Sequence, residues 1–266
     1  MDDCRTFAPS IHQPGSDHGS LYSGGDDLLE EYENGMVRVR EEFARHPAVM
    51  SLFELPMEPV AMEAFLISFA TLGVKMTEPV EGWIRGAGRR CGELGLVQLG
   101  KALESHAKQE ADHHLLMLAD ATHLVAGWNG KREPRLAVST LLEVPPPPGV
   151  VAYRRLHEDV ISGPTPYGQL GIEYEIEMLS VTYGPRLIAR AIDLLGETVL
   201  ENLSFLRDHV SLDVGHTKFN RAQLSRLLKE NPDFLPGLIA AASAALRAYA
   251  VFLDDCIHFV RVAVAL

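Results

Sequence analysis

Hydrophobic residues recur at intervals of three and four along almost the whole chain, and this periodicity constrains the fold more than any other feature. From Asp27 onward, each long segment places its apolar side chains on one face of an α-helix, whereas the alternation typical of β-strands is scarce. Hydrophobic residues make up 47% of the 266 residues, which is enough to bury a sizeable core. The pattern predicts an all-α protein with helices at about 27–45, 58–74, 77–90, 93–127, 150–161, 166–195, 197–229 and 234–264.

The breaks between these helices carry residues that end helices or form turns. Proline stands in many of them, as in His46-Pro47, Leu55-Pro56, Gly163-Pro164 and Asn231-Pro232. The run Pro145–Pro148 is a stiff connector within one domain, because the helices on both sides are amphipathic and need each other for burial. We therefore predict a single helical domain over residues 26–266. Residues 1–25 lack hydrophobic periodicity and are predicted to form a disordered tail.

Charge and cysteine content exclude several classes of protein. The net charge is −12 and the pI is about 5.4, so the chain offers no basic field for nucleic acid. Its three cysteines, Cys4, Cys91 and Cys256, lie too far apart to suggest a disulfide framework or a zinc ribbon, and no signal peptide is visible. These features predict a cytoplasmic protein. Charged residues interrupt the apolar stretch 234–266, which predicts a core or interface helix instead of a membrane span, and a homodimer stays open.

One short motif near the C-terminus has the spacing of a metal site. His209, Asp213 and His216 stand at positions i, i+4 and i+7, which fall within about 60° of one another on an α-helix. A single triplet of this kind can also be a solvated stripe on a surface helix. Hydrophobic neighbours argue for burial instead: Val210, Leu212, Val214 and Phe219.

The same spacing occurs about a hundred residues earlier. In the stretch HAKQEADH, His106, Glu110 and His113 would share one face of the predicted helix 93–127. His114 is less well aligned, but an exchange of roles between His113 and His114 stays open, as does a part for His106. A second copy of the pattern favours metal binding over coincidence.

A third helix offers carboxylates between the two motifs. Glu173 and Glu177 lie one turn apart in a largely apolar segment, where a carboxylate is costly unless it is paired or bound to metal. Several carboxylates together with several histidines exceed what one tetrahedral zinc needs. They are the donor types that iron or manganese prefers in helical di-metal carboxylate sites. The sequence therefore predicts a dinuclear site.

These features resemble those of the heme-oxygenase-like di-metal oxidases and oxygenases, which are related in fold to thiaminase-II-like and pyrroloquinoline-quinone synthase proteins. The resemblance rests on the motifs His209–His216 and Glu110–His113, on Tyr174 with Glu177, and on the stretch HPAVMSLFELP that begins at His46. It spans about residues 40–225. It implies a bundle of about seven main helices with a dinuclear metal site buried at its centre, and it implies no heme.

The resemblance also implies roles for individual residues. The implied metal ligands are Glu110, His113, Glu177, His209, Asp213 and His216. Glu110, His113 and His209 would surround one ion. Glu177 would bridge the two ions or be shared between them, and the remaining two ligands would hold the second ion. The three carboxylates of this set are the predicted catalytic residues.

The function that the resemblance implies is an O₂-dependent oxidation. Two Fe(II) ions per chain, or Mn in their place, would react with O₂ as co-substrate through a peroxo-diiron intermediate, with N-oxygenation, desaturation or oxidative C–C cleavage as the outcome. A reductase or a small-molecule reductant would supply electrons. Members of the family act on amino acids, amines and fatty acids, and a small amino acid- or amine-derived substrate is favoured here, because an acidic protein does not repel a cation.

Three alternatives stay open from the sequence. The first is a fatty-acid oxidative decarboxylase of the same family. The second is a metal-free helical binding protein or a cofactor-independent enzyme of the same fold, in which the histidines orient a substrate. The third is a metal-storage or structural module.

Overall fold

The computed structural model describes residues 24–264, with side chains described from 27 to 260. Within this range the chain is helical throughout and contains no β-strand, so the predicted all-α class is confirmed. The α-helices are α1 (Gly24–Ala44), α2 (Pro47–Phe53), α3 (Pro59–Thr77), α4 (Val80–Glu93), α5 (Val97–Gln109), α6 (His113–Asn129), α7 (Val138–Glu143), α8 (Pro148–Ser162), α9 (Gly168–Leu195), α10 (Ser204–Glu230) and α11 (Leu235–Val264). Two 3₁₀ segments, Glu197–Asn202 and Pro232–Phe234, precede α10 and α11. The predicted tail lies outside the described residues, except for the two glycines that begin α1.

Two predicted helices are wrong in extent. The predicted helix 93–127 is in fact α5 and α6, which are separated by residues 110–112. Asp112 adopts a left-handed conformation with φ of 65°, which aspartate tolerates better than most residues and which no α-helix can continue through. The predicted helix 197–229 begins as a 3₁₀ segment, and α10 starts only at Ser204.

Short or displaced helices account for the other differences. The periodicity does not predict α2 and α7, which are too short to show a period. Helix α2 begins at Pro47, a favoured first residue of a helix, and Nδ1 of His46 accepts a hydrogen bond from the backbone N–H of Ala48 at 3.3 Å. The predicted helix 77–90 lies at Val80–Glu93 instead.

Helix α3 forms the centre of the bundle. It is buried on all sides from Met62 to Gly73, and it packs mainly against α6 and α11. A helix that is apolar around its whole circumference has to lie in the core. Full burial of each large side chain, such as Phe65 or Leu72, stabilises the fold by about 1.5–3 kcal/mol relative to exposure.

Two helical stretches are long and apolar enough to cross a membrane by length and composition alone. They are Pro59–Glu93, which contains α3, and Pro232–Val260, which contains most of α11. Core helices of globular proteins pass the same test, and 72% of the first window is buried inside the protein.

A buried ion-pair network joins α1 to α9. The carboxylate of Glu175 accepts hydrogen bonds from Nε and Nη2 of Arg40 at 2.9 and 2.6 Å and from the hydroxyl of Tyr32 at 3.1 Å. Arg40 also pairs with Glu33 at 2.7 Å, and Glu33 accepts a hydrogen bond from Tyr174 at 2.7 Å. These charge-assisted bonds fix how α9 lies against α1.

A carboxylate from α6 determines where α10 begins. Asp120 accepts hydrogen bonds from the backbone N–H groups of Ser204 and Phe205 at 2.9 and 3.0 Å and from the Ser204 hydroxyl at 2.7 Å. The first N–H groups of a helix have no acceptor within the helix, and a negative charge is favourable at this end of the helix dipole. Asp120 therefore ties α6 to the start of α10.

Helix α8 begins so close to α11 that only glycine fits at position 149. A Cβ on Gly149 would lie 2.6 Å from Cα of Phe252 and in contact with the backbone nitrogen of the same residue. We expect Gly149→Ala to lower the free energy of unfolding, measured by urea denaturation, by about 1–3 kcal/mol, because the two helices have to move apart. The control is Gly127→Ala on α6, where a Cβ meets nothing within 4 Å. It is expected to stabilise by up to about 1 kcal/mol, and equal effects of the two substitutions would contradict the close approach.

Candidate metal centre

Four helices bring histidines and carboxylates together at one place in the bundle. They fall into two groups in which the nitrogen and oxygen atoms lie within 4.8 Å of one another. One group contains His106, Glu110, Glu177 and His216, and the other contains Glu110, His113 and His209. The residues come from the end of α5, the start of α6, the middle of α9 and the first half of α10.

Glu110 belongs to both groups, with one oxygen in each. Its Oε1 lies 3.4 Å from Nε2 of His106 and 3.4 Å from Nδ1 of His216. Its Oε2 lies 2.8 Å from Nδ1 of His113 and 3.9 Å from Nε2 of His209. A carboxylate that directs its two oxygens into two donor groups has the arrangement of a bridging ligand. The resemblance implied this role for Glu177, but in the structure Glu177 belongs to one group only.

The group around Glu177 contains buried atoms that lack hydrogen bonds. Nε2 of His106 lies 3.0 Å from Oε1 of Glu177, but the geometry is not that of a hydrogen bond. Among the described residues, both ring nitrogens of His106, Oε1 of Glu177 and Nδ1 of His216 are buried without a hydrogen-bond partner. Orphaned buried polar atoms are costly. Three of these four, one from each side chain, converge on one place, which a metal ion between the three side chains explains. The donors therefore fit the implied metal.

Asn220 orients Glu177 within this group. Its side-chain amide donates a hydrogen bond to Oε2 of Glu177 at 2.7 Å, which directs Oε1 toward the histidines. An amide bound to a ligand carboxylate is typical of the residues that surround metal sites. The sequence analysis missed Asn220, although its position four residues after His216 places it on the same face of α10.

Asp213 lies beside this group instead of within it. Its side chain is buried, and Oδ1 lies 3.3 Å from Nδ1 of His216. The nearby carboxylate of Asp213 raises the pKa of His216. Asp213 thus contacts a candidate ligand directly, while its own role as a ligand stays a prediction.

The second group is held by the beginning of α10. Nδ1 of His209 lies 2.9 Å from the backbone oxygen of Phe205, which leaves Nε2 to face Glu110, and the Phe205 ring stacks on the imidazole at 3.8 Å. Burial lowers the pKa of His209, which favours the neutral imidazole that binds metal. The ring of His113 lies 4.6 Å from that of His209, and both face the same carboxylate.

The break between α5 and α6 changes the relative positions of the residues in the motif HAKQEADH. Because α5 ends at Gln109, His106, Glu110 and His113 do not share one helix face as predicted. The turn at Asp112 nevertheless brings His113 against Glu110. His106 lies in the group of Glu177 and His216, His113 lies in the group of His209, and His114 lies in neither group.

Burial and opposite charge set the protonation of the centre. Burial alone would lower the pKa of His106, but Glu110 and Glu177 outweigh it and raise that pKa to about 10. Burial would raise the pKa of Glu110, but His106 and His113 hold it well below its usual range. In the metal-free chain the group is therefore a cluster of ion pairs, and a metal ion would replace the proton on His106.

The hydrophobic neighbours of the late motif do not bury it. Leu212, Val214 and Phe219 are 45%, 44% and 39% exposed, so the argument from these neighbours was wrong for three residues of four. Helix α10 instead buries the face that carries Asp213, together with Thr217, Asn220 and Leu224. This face meets α9 at the centre of the bundle, and α10 also buries Leu206, Leu227 and Leu228.

A cavity of about 150 Å³ opens onto the candidate metal centre. Glu110, Glu177, His209 and Asp213 contribute to its wall, and most other lining residues are aromatic or aliphatic. A cavity of about this size holds a small organic molecule such as a benzene ring. The arrangement therefore places a small, largely apolar compartment directly beside the two donor groups.

Solved structures identify the fold of this helical bundle, which carries two joined histidine–carboxylate groups at its centre. No protein-family model and no curated protein matches the sequence. A domain of unknown function with a heme oxygenase-like fold from Shewanella denitrificans superposes with a TM-score of 0.68 at 16% identity, over 89% of this chain and 91% of that chain. A CADD-like protein of unknown function from Nostoc punctiforme gives 0.61 at 17% identity, over 88% of this chain and 97% of the other. The chain thus has the heme oxygenase-like fold that the sequence resemblance implied.

Proposed function

We propose that this protein is an O₂-dependent non-heme diiron oxidase or oxygenase. The observation that carries the proposal is Glu110, whose two oxygens face two separate groups of histidines. A single metal ion would not need a carboxylate in this position, whereas two ions held a few ångströms apart do. The heme oxygenase-like fold supports the proposal, because it forms the central helical compartment in which the groups lie.

The donor types favour iron or manganese over zinc. The two groups contain only imidazole and carboxylate donors, which suit Fe(II) and Mn(II), and they offer more donors than one tetrahedral zinc ion uses. Two such ions would supply the reduction of O₂ and the oxidising power of the reaction. A reductase or a small-molecule reductant would provide electrons. As the sequence predicts, the enzyme would be cytoplasmic and would have no nucleic-acid partner.

The protein's own residues set the conditions for this chemistry. Glu110, His113 and His209 would hold one ion, while His106, Glu177 and His216 would hold the other together with Glu110. Burial keeps bulk water away from both groups, and the apolar cavity would confine the substrate beside them. Asn220 and the Phe205 carbonyl would keep the ligands oriented.

The size and lining of the cavity support two candidate substrate classes. Its volume supports a small substrate, and the amino acid- or amine-derived class is retained because the ionisable groups that line the cavity are mostly acidic. The apolar remainder of the wall favours a second candidate, a fatty-acid oxidative decarboxylase with the same metal centre. The two candidates differ in the charge of the substrate head group.

Anaerobic titration with Fe(II) tests the proposed function. We expect about two Fe(II) per chain, and exposure of the loaded protein to O₂ is expected to produce a transient visible absorption, because a coupled pair of irons reacts as a unit. Parallel titrations with Mn(II) and Zn(II) compare the metals. Binding no greater than that of a metal-free helical protein would refute the proposal and favour a cofactor-independent function.

A further inference from the structure

Two buried carboxylates in the cavity wall belong to neither metal group. Asp213 pairs with His216, whereas among the described residues Glu173 forms no ion pair with a member of either group. Glu173 lies one turn before Glu177 on α9, is 8% exposed and lines the cavity wall. It is not part of either set of converging donors. The metal centre therefore does not account for its presence in a largely apolar compartment.

A chain of buried side chains holds Glu173 in place from behind. The side-chain amide of Gln169 donates a hydrogen bond to Oε1 of Glu173 and also lies 2.9 Å from Nδ1 of His157. His157 stacks on Trp83 with ring centres 4.2 Å apart and planes 7° from parallel. Gln169 and His157 are fully buried, so the carboxylate is fixed before any ligand arrives.

Gln169 and His157 supply Glu173 with a hydrogen bond but no positive charge. Burial lowers the pKa of His157 to about 4, so the ring is neutral; its Nδ1 lies 2.9 Å from Nε2 and 3.1 Å from Oε1 of Gln169. A glutamine at position 173 would satisfy the same neighbour without the cost of burying a carboxylate, so a purely structural role does not explain Glu173. No lysine or arginine is among the described residues that line the cavity. Burial raises the pKa of Glu173 to about 8. A cation that enters from the cavity would favour the charged carboxylate and supply the partner that the wall lacks.

Two aromatic rings line the same cavity as this carboxylate. Tyr153 and Tyr249 have ring centres 6.3 Å apart, and Tyr153 packs edge-on against His157 at 4.6 Å. Burial raises the pKa of Tyr153, so its phenol is uncharged. Aromatic rings beside a carboxylate are the usual surroundings of a bound ammonium group.

We propose that Glu173 binds the ammonium group of the substrate, with Tyr153 and Tyr249 enclosing it, and that the apolar remainder of the substrate extends into the rest of the cavity. That remainder is lined by Phe43, Leu52, Phe53 and Leu187 from α1, α2 and α9. The substrate is accordingly a small primary amine with an apolar chain or ring. The proposal rests on the proposed function for the reaction, but the binding of the amine does not need O₂.

Binding of three matched probes tests this role. n-Butylamine, n-butanol and butyrate have the same apolar chain and differ in the charge of the head group. Isothermal titration calorimetry of the anaerobic Fe(II)-loaded protein is expected to show the amine binding about 10- to 100-fold more tightly than the alcohol, because a buried carboxylate pairs with the ammonium only. In Glu173→Gln this preference is expected to disappear while the affinity for butanol stays within about twofold.

Three controls separate this role from others. Glu158→Gln changes an exposed glutamate on α8 and is expected to keep the preference for the amine. Glu173→Asp retains the negative charge and is expected to keep part of the preference for the amine. The iron content of Glu173→Gln is expected to stay equal to that of the wild type, because Glu173 lies outside both donor groups.

The outcomes distinguish this proposal from the proposed function. An unchanged preference for the amine in Glu173→Gln would overturn the role of Glu173, as would a loss of iron in that variant. A wild-type protein that binds butyrate most tightly, or that shows no preference for the amine, would overturn the ammonium site even if the variant failed to fold. Repeating the titrations on the metal-free protein measures amine binding independently of iron. A failure to bind two irons would then refute the diiron function and leave the ammonium site standing.

Discussion

Replacement of Glu110 by alanine is expected to remove both metal ions, whereas replacement of His113 is expected to remove one. Glu110 contributes one oxygen to each donor group, so its loss leaves neither group complete. His113 belongs to one group only, and the other keeps all its donors. Anaerobic Fe(II) titration should give about two ions per wild-type chain, about one for His113→Ala and well below one for Glu110→Ala.

The loss of activity is expected to follow the loss of metal. Changes to residues that only support metal ligands reduce affinity or activity by about 10- to 100-fold, so removal of the shared ligand should reduce turnover at least about 100-fold. Glu104→Ala, an exposed change on the same helix, is the matched control and should retain both ions. Circular dichroism of the metal-free variants verifies folding. A Glu110→Ala protein that keeps two ions would contradict the sharing of this carboxylate.

Replacement of Glu175 by alanine is expected to produce the largest loss of stability. The substitution removes the partner of both Nε and Nη2 of Arg40 and the acceptor of the Tyr32 hydroxyl. Removal of one partner of a buried ion pair destabilises by about 3–5 kcal/mol, because the other charge is left without compensation. The side chain of Arg40 is 31% exposed and keeps Glu33, so we expect about 2–4 kcal/mol in urea denaturation.

An exposed ion pair on the same helix provides the matched control. Arg38 pairs with Glu42 at 2.9 Å on α1, but the two side chains are 88% and 43% exposed. Arg38→Ala should therefore change the free energy of unfolding by less than about 1 kcal/mol. The double variant Arg40→Met/Glu175→Met should recover part of the lost stability, because the one charge that it leaves without its cation, Glu33, is 29% exposed and can be hydrated. A Glu175→Ala protein as stable as Arg38→Ala would show that the network does not hold α1 to α9.

The fold class was predictable because it depends on local periodicity. Most long helices appear within a few residues of their predicted positions, as α9 and α11 do. The exceptions arise where a distant or unusual contact sets a helix end. Helix α10 starts where Asp120, 84 residues earlier, accepts its first N–H groups, and α6 is separate from α5 because Asp112 turns the chain in a segment without glycine or proline.

The candidate metal centre was likewise predictable only in part. The sequence by itself determined that His209, Asp213 and His216 lie on one side of α10, because the rotation per residue of a helix fixes that relation locally. Which donors meet was decided only by the tertiary structure, because it depends on how α5, α6, α9 and α10 pack. That packing places Glu110 between the two histidine groups, Asp213 beside one of them, and Glu173 in the cavity wall outside both.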